Sequence, residues 1–356
     1  MKIEGETLPL NNQILDVETV KKIAYSLMTP EEIKAFEAEH EMNFGFLVEN
    51  TGKFRINVFR QRGDVALVAR FVRSQIPSIE SLGLPPILKE LVMEKRGLIL
   101  VVGQAGSGKS TTLASMIDYR NTNRTGHILL IEDPIEYLHA YKKSIVNQRE
   151  VGLDTRSYTT ALLNAVREAP DVLMIGEIRD RDTMQQAMIY AETGHLMLST
   201  LHANNSYHTL NRIINLFPHE ARNHLLHDLS ISLKAVISQR LVRGLSGKRV
   251  PAVEILMNSP YVAELIKSGE TDKIKEAMEQ SLTPGSQTFE QALFALYQEG
   301  KISLDEALAN ADSRTNLSWL INNDRRDTAE PVVAAGSPVN IDTASNFGDF
   351  KLDADR

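Results

Sequence analysis

The chain has 356 residues, of which 42% are hydrophobic and 24% are charged, with no cysteine and a formal net charge of −7. This length and composition predict more than one folded domain, and the lack of cysteine excludes disulfides, thiol catalysis and cysteine-ligated zinc. The negative charge disfavours nucleic acid as the main partner, because nucleic-acid binding depends on clustered lysine and arginine.

The amino terminus, MKIEGETLPLNN, lacks the apolar stretch of a signal peptide. No apolar run in the chain approaches the roughly 20 residues that span a bilayer. We therefore expect a cytoplasmic protein.

Residues 1–86 predict a small α/β domain. Helical patterns come first, in VETVKKIAYSL and in TPEEIKAFEAEH, where Thr29 and Pro30 can begin a helix. The segments FGFLVE, KFRINVFRQ and DVALVARFV then predict short strands, and the alternation in FRINVFR indicates an antiparallel sheet. The regular pattern breaks around Gly83 and Pro85, where we place the connection to a second domain.

Residues 87–322 predict a doubly wound α/β domain with carboxyl-terminal helices. The nearly continuous apolar runs LILVVG, HILLIE, DVLMIGE and HLMLSTL are typical of parallel strands buried on both faces. Ligands are then expected at the carboxyl ends of these strands. Beyond about residue 257 the pattern becomes helical, whereas residues 323–356 are polar and aperiodic and predict a flexible tail.

The segment GQAGSGKST, residues 103–111, matches the phosphate-binding pattern G-x-x-x-x-G-K-[ST] directly after an apolar run. Its glycines allow backbone N–H groups to surround phosphates, Lys109 can approach the β- and γ-phosphates, and Ser110 can bind Mg²⁺. A glycine turn without nucleotide is the alternative, which the preceding strand and following helix disfavour. The predicted ATP-binding residues are Gly103, Gln104, Ala105, Gly106, Ser107, Gly108, Lys109, Ser110 and Thr111.

Acidic residues follow two of the predicted strands. Glu132, Asp133 and Glu136 lie in HILLIEDPIEY, and Glu177 lies in DVLMIGEIRD. An acid at the carboxyl end of a parallel strand can hold Mg²⁺ or orient an attacking water, although acids are also common turn residues. Downstream of a phosphate-binding loop they predict ATP hydrolysis, with Glu177 and the loop serine as Mg²⁺ ligands.

Four motifs occur together: GQAGSGKST, IEDPIEY with KKSIVNQREVG, APDVLMIGEIRD, and AETGHLMLSTLHANN. In order and spacing they resemble the secretion-ATPase superfamily, specifically its pilus-retraction or PilT/PilU branch, from about residue 48 to residue 310. The resemblance implies a PAS-like amino-terminal domain, a RecA-like ATPase domain and a homohexamer that uses ATP and Mg²⁺. It also implies a place at the cytoplasmic face of the bacterial inner membrane, beside a pilus platform protein.

The resemblance also implies catalytic roles outside the phosphate-binding loop. Glu136 matches the Asp-box glutamate, Glu177 the Walker B glutamate, and His195 and His202 the His-box pair. From the residues alone the two histidines stay open, because a spacing of seven directs them to opposite faces of a strand and two structural histidines would satisfy it.

Arg55 and Arg70 lie on adjacent predicted strands and resemble the arginines that the family places against ATP in a neighbouring subunit. Without a ring, an arginine on an exposed strand is usually a solvated charge. His224 and His227 are spaced i, i+3 on a predicted helix but lack a third ligand, so we assign no zinc site.

Within the superfamily, the pilus-extension motors carry a tetracysteine zinc site, which this chain cannot form. GEIRDRDTM, STLHANN and the tail resemble PilU more than PilT, and PYVAELIKS stands where PilT has an AIRNLIRE-like helix. This implies an accessory motor beside a PilT-like ring, with autonomous retraction as the alternative. A nucleic-acid-translocating ATPase and a non-hydrolysing nucleotide-gated scaffold also stay open; the net charge disfavours the first, and Glu136 and Glu177 disfavour the second.

Overall fold

The computed structural model describes residues 2–3, 6–49, 51–72 and 74–328. These residues form a three-stranded antiparallel sheet, a small two-stranded hairpin and a seven-stranded mixed sheet, with helices packed on the sheets. Residues 329–356, which make up most of the predicted tail, lie outside the described residues.

The amino-terminal part contains strands β1 (Lys2–Ile3), β2 (Glu6–Thr7), β3 (Glu41–Val48), β4 (Gly52–Gln61) and β5 (Asp64–Phe71), and helices α1 (Val17–Ser26) and α2 (Pro30–Glu39). The side chain of Thr29 caps α2 in a capping box with Glu32, as the Thr-Pro sequence predicted. One face of the β3–β4–β5 sheet packs against the helices through Phe36, Phe44 and Ile56.

The large sheet contains β6 (Gly97–Val102), β7 (Gly126–Glu132), β8 (Ser144–Glu150), β9 (Val172–Ile175), β10 (Leu196–Leu201), β11 (Leu233–Arg243) and β12 (Arg249–Met257). The strand order is β12-β11-β6-β10-β9-β7-β8. All neighbours are parallel except β11 and β12, which form an antiparallel hairpin at one edge. The four apolar runs of the sequence are the central strands β6, β7, β9 and β10.

The helices of this part are α3 (Ile87–Met93), α4 (Lys109–Asn123), α5 (Tyr158–Glu168), α6 (Arg181–Glu192), α7 (Ser206–Asn215), α8 (Arg222–Ser232), α9 (Pro260–Ser268), α10 (Ile274–Glu279), α11 (Phe289–Gln298), α12 (Leu304–Asn310) and α13 (Arg314–Thr328). Helices α3 and α4 cover one face of the sheet and α5 to α10 the other, while α11 to α13 pack beside the β11–β12 hairpin. In the described ranges, no helix is both long and apolar enough to cross a membrane.

Two predicted boundaries differ from the structure. Residues 323–328, which we expected in the tail, continue α13, whose Leu317 and Ile321 are buried against α11. Ile79 and Leu84, which we expected in the amino-terminal domain, pack in the core of the large sheet. The Gly-Pro break that suggested a linker is a turn leading into α3. The division into domains itself stays a prediction.

Candidate nucleotide-binding and catalytic site

The chain turns sharply between β6 and α4. Gly103, Gly106 and Gly108 have φ values of 151°, 79° and 92°, a region that L side chains rarely adopt. A Cβ on Gly103 would also lie 2.4 Å from the carbonyl oxygen of Gln239. These glycines let the loop close tightly, so that its N–H groups and the amino end of α4 can bind an anion.

Lys109 is the first residue of α4, and its side chain folds back over the loop. Its Nζ donates to the carbonyl oxygens of Gly103 at 2.9 Å and Gln104 at 3.0 Å. Burial lowers the pKa of Lys109, while the carboxylates of Glu177 and Glu136 act in the opposite direction. A phosphate would replace the two neutral acceptors with a charged one, which forms a stronger hydrogen bond.

A cavity of about 280 Å³ lies in front of the loop, at the carboxyl ends of β7, β9 and β10. The residues around it include Ala105, Gly106, Lys109, Ser110, Glu132, Asp133, Glu136, Tyr158, Glu177, Arg179, Thr200 and His202. The structure therefore brings the predicted phosphate-binding loop together with Glu136, Glu177 and His202, which are distant in sequence.

Glu177 follows β9, and its side chain is 16% exposed. One carboxylate oxygen accepts a hydrogen bond from Nε of Arg179 at 2.6 Å, and the other lies 3.1 Å from Nε2 of His202. Arg179 also contacts Asp133 at 3.5 Å. A Mg²⁺ ion or water that binds Glu177 must therefore share the carboxylate with Arg179 and His202.

Glu132, the last residue of β7, is 8% exposed and accepts a hydrogen bond from Nε2 of Gln148 at 3.0 Å. Burial raises its pKa to about 7. A carboxyl group that titrates near neutral pH beside a phosphate-binding loop can accept or release a proton. The sequence indicated Glu132 only as one of several acids after the strand, because its burial cannot be seen in the motif.

Other residues of the cavity had no clear signal in the sequence. Arg179 follows Glu177 by two positions, and this spacing within GEIRD is the one hint of their contact. The hydroxyl of Thr200 donates to the carbonyl oxygen of Gly176 at 2.6 Å and so ties the end of β10 to the Glu177 turn. Tyr158 comes from the start of α5, whose position depends on tertiary packing.

Arg55 and Arg70 lie directly opposite each other on β4 and β5. With residues 108–112 they line a second cavity, of about 1200 Å³. Nη1 of Arg55 is buried without a hydrogen-bond partner among the described residues and lies 3.9 Å from the carboxylate of Glu150. Within one chain both arginines therefore share a cavity with that chain's own loop, and their action on a neighbouring subunit stays a prediction.

His195 does not line this cavity. His195 precedes β10, and its carbonyl oxygen accepts a hydrogen bond from the N–H of Gly97 at the amino end of β6. Its ring packs edge-on against Tyr190, with centroids 5.2 Å apart. Because the whole of β10 separates His195 from His202, the two histidines are roughly 23 Å apart at 3.3 Å per residue. These contacts support a packing role for His195, and the catalytic role implied by the resemblance stays a prediction.

Comparisons with known proteins agree with this geometry. The sequence model of the family described as type II/IV secretion system protein matches residues 43–307. The type IV pilus ATPase PilU of Pseudomonas aeruginosa is 47% identical over 322 residues, which cover 90% of this chain and 84% of PilU. The type IV pilus retraction ATPase PilT of the same organism is 39% identical and covers 89% of this chain and 92% of its own length.

The crystal structure of the pilus retraction motor PilT with bound ADP superposes with a TM-score of 0.83 at 42% identity, covering 89% of this chain and 91% of that chain. The predicted fold class is confirmed, with an amino-terminal α/β domain, a P-loop domain built on a parallel sheet, and carboxyl-terminal helices. Because the family profile, the relatives and the site geometry agree, this chain is an ATPase of the type II/IV secretion system family and belongs to the branch that contains PilT and PilU.

Proposed function

We propose that this chain is an ATP-hydrolysing motor for type IV pilus retraction and twitching motility, and that it works as a PilU-like accessory to a PilT-like ring. The main support for this proposal is that the phosphate-binding loop, Glu177 and His202 line one cavity. The chain that contains this cavity is 47% identical to PilU. Pilus retraction follows from the relatives, whereas nucleotide chemistry follows from the cavity itself.

The chemistry of the cavity fits ATP with Mg²⁺. The loop glycines, the amino end of α4 and Lys109 supply donors for phosphate oxygens. The hydroxyl of Ser110 and the carboxylate of Glu177 are hard oxygen ligands of the kind that Mg²⁺ binds. Across the described residues no cluster of three or more acids, histidines or cysteines could hold a metal. One or two protein ligands are enough when phosphates supply the others, so we propose that Mg²⁺ binds together with the nucleotide.

In the proposed reaction, Lys109 neutralises phosphate charge, and Glu177 and Glu136 orient the attacking water from the carboxyl ends of neighbouring strands. Bound Mg²⁺ would neutralise further charge on the phosphates. His202, at 3.1 Å from Glu177, positions that carboxylate or contacts the terminal phosphate when the nucleotide is present.

We further propose a homohexamer at the cytoplasmic face of the bacterial inner membrane, in contact with an inner-membrane pilus platform protein and a PilT-like ring. Arg55 and Arg70 would then act on ATP bound by a neighbouring subunit, because a guanidinium suits bidentate contact with phosphate. Their position in the cavity beside the same chain's loop makes action within one subunit the alternative.

The proposed activity is tested on the purified chain by measuring ATP turnover and solution mass with and without nucleotide and Mg²⁺. We expect Mg²⁺-dependent hydrolysis and a mass six times that of the 39.8 kDa chain. Lys109→Ala should lose nucleotide binding. Stimulation of turnover by DNA or RNA that weakens steeply with salt would instead indicate a translocase.

Mixing subunits tests the arginines. Lys109→Ala and Arg55→Ala rings are each expected to be inactive, and mixed rings should regain part of the activity if arginines act across the interface. In such rings some interfaces pair an intact loop with an intact arginine. No recovery in rings whose mixing is verified by mass would show that Arg55 acts within its own subunit.

A further inference from the structure

Gln239 lies on β11 at the point where this strand passes the phosphate-binding loop. Its side chain is 3% exposed, and its Oε1 accepts a hydrogen bond from the hydroxyl of Thr112 at 2.7 Å. Nε2 donates to no protein acceptor among the residues that the structure describes, and it is not one of their buried atoms without a partner, so it reaches the solvent of the cavity that Gln239 lines. A ligand that enters the cavity can therefore replace water as the hydrogen-bond partner of this donor.

The free donor of Gln239 is directed at the loop. Nε2 lies only 2.7 Å from the position that a Cβ on Gly108 would take, so the absence of a side chain at Gly108 is what makes room for it. Gln239 lines the 1200 Å³ cavity together with residues 108–112. Thr112 fixes the other end of the amide from the first turn of α4, so the donor stays directed at the part of the phosphate-binding loop that borders the 1200 Å³ cavity.

The next residue, Arg240, points to the opposite face of β11, because successive side chains of a strand alternate. Its guanidinium donates to the carbonyl oxygen of Asn310 at 2.5 Å and of Asn204 at 3.3 Å, and it pairs with Asp312. It also lies 3.9 Å from the ring centroid of Phe289 in α11. Arg240 therefore joins the loop that follows His202 to the carboxyl-terminal helices.

We propose that Gln239 donates a hydrogen bond from Nε2 to the phosphates of the bound nucleotide, and that Arg240 transmits the resulting shift of β11 to α11–α13. The inference rests on the nucleotide site proposed above. It adds a nucleotide contact from the β11–β12 hairpin, outside the four sequence motifs, and it gives the carboxyl-terminal helices a physical connection to nucleotide occupancy.

The contact is tested by the affinity of the purified chain for a fluorescent ADP analogue. Gln239→Ala should weaken binding by roughly tenfold, the typical value of a hydrogen bond to a charged group. Gln239→Glu should weaken it further, because the carboxylate can still accept from Thr112 but repels phosphate. If Gln239 only supports the fold, Gln239→Glu and Thr112→Val should both bind as wild type does, and wild-type affinity in Gln239→Glu overturns the contact.

Two variants separate this inference from the site assignment. Gln287→Ala removes a glutamine that donates to the carbonyl oxygen of Val253 on the same hairpin, and it should leave ADP affinity unchanged. Lys109→Ala should weaken binding strongly. If Lys109→Ala binds normally, the nucleotide site and the inference both fail. If only the Gln239 variants bind normally, the Gln239 contact alone fails.

Trp319 reports the transmission step, since it is the single tryptophan and lies 62% exposed on α13. Saturating ADP should change its fluorescence in wild type and in Gln287→Ala. Arg240→Lys keeps the positive charge but removes the guanidinium that contacts both Asp312 and Asn204. The variant should therefore still bind ADP but lose the fluorescence change. A wild-type response in Arg240→Lys, or no response in wild type, would overturn the transmission.

Discussion

Glu177 and Glu136 occupy different positions in the catalytic cavity. Glu177 is largely buried and shares its carboxylate between Arg179 and His202, whereas Glu136 is exposed. Neither contacts the loop donors that would hold phosphate. We therefore expect these acids to act on water or metal during hydrolysis and to contribute little to nucleotide binding.

We expect Glu177→Gln and Glu136→Gln to keep the ADP affinity of wild type and to lower kcat by roughly a hundredfold or more, the range for loss of a positioned acid or base. Steady-state ATPase assays and ADP titrations measure the two effects separately. His195→Ala is the control, because His195 lies at the far end of β10, and its kcat should stay close to wild type. Unchanged kcat in both glutamine variants would remove these acids from the mechanism.

The buried carboxyl of Glu132 predicts a pH-dependent stability. Its pKa rises from an ordinary value of 4.5 to about 7 in the folded chain. Below pH 4.5 the carboxyl group is protonated in both the folded and the unfolded state, so it does not lower the free energy of unfolding. Above pH 7 the folded state must bury a charged carboxylate. At 1.4 kcal/mol per pKa unit the folded state loses about 3 kcal/mol over this window.

Glu132→Gln should therefore stabilise the nucleotide-free chain at pH 8 by up to about 3 kcal/mol and have little effect at pH 4.5. Urea unfolding at the two pH values measures the difference. Glu264→Gln, at an exposed position on α9, should show no such dependence. An equal effect of Glu132→Gln at both pH values would mean that the carboxyl titrates normally.

At the scale of elements, the start of α7 is held by a buried carboxylate. Oε1 of Glu254, on β12, accepts hydrogen bonds from the N–H and hydroxyl of Ser206, both at 2.8 Å, and from the hydroxyl of Ser238 at 3.1 Å. Burial raises the pKa of Glu254, and its three donors act against this shift. Ser206 begins α7 four residues after His202, so this network fixes the loop on which His202 lies.

Glu254→Ala should lower the free energy of unfolding by about 3 kcal/mol, because it leaves buried donors without an acceptor. It should also lower kcat more than ADP affinity, since the His202 loop loses its anchor while the phosphate-binding loop keeps its contacts. Thermal unfolding and ATPase assays measure both. Glu264→Ala should change neither quantity, and the same outcome for Glu254→Ala would show that α7 is held by other contacts.

Some elements could be predicted from the sequence and others could not. The central strands β6, β7, β9 and β10 are buried on both faces, so each is a recognisable apolar run. The edge strand β8, SIVNQRE, mixes buried and exposed residues and gave no comparable signal. The β11–β12 hairpin was also missed, and with it Gln239.

The residues of the site also fall into a group that the sequence predicted and a group that it did not. The phosphate-binding loop is local, so one motif predicts the glycines, Lys109 and Ser110 together. The cavity around Glu177 depends on strand order, which the motifs did not give. For this reason His202 and Arg179 meet Glu177, while His195, which belongs to the same motif as His202, lies at the amino ends of β6 and β10.

At the scale of the whole molecule, α9 is the helix whose sequence departs from the AIRNLIRE-like pattern that the resemblance implies. Its segment PYVAELIKS buries Val262, Leu265 and Ile266 and exposes Tyr261, Glu264 and Lys267. The resemblance implies arginines at this position, and a lysine cannot form the bidentate contact to a carboxylate that a guanidinium forms. The exposed face of α9 therefore keeps one positive charge, on Lys267, but has no guanidinium to bind a carboxylate on the pilus base.

We therefore expect that this chain cannot retract a pilus alone and adds ATP-driven force to a PilT-like ring. The cavity brings the phosphate-binding loop together with Glu177 and His202, which an inert subunit would not need, so dependence on a partner fits a motor that hydrolyses ATP but engages the pilus through another ring. Microscopy of pilus retraction in a host lacking its PilT-like motor is the deciding measurement. We expect no retraction with this chain alone and partial recovery when a catalytically inactive PilT-like ring is added. Lys109→Ala should abolish that recovery, because the inactive ring then has no source of hydrolysis. Normal retraction driven by this chain alone would show that α9 engages the pilus directly and that the motor is autonomous.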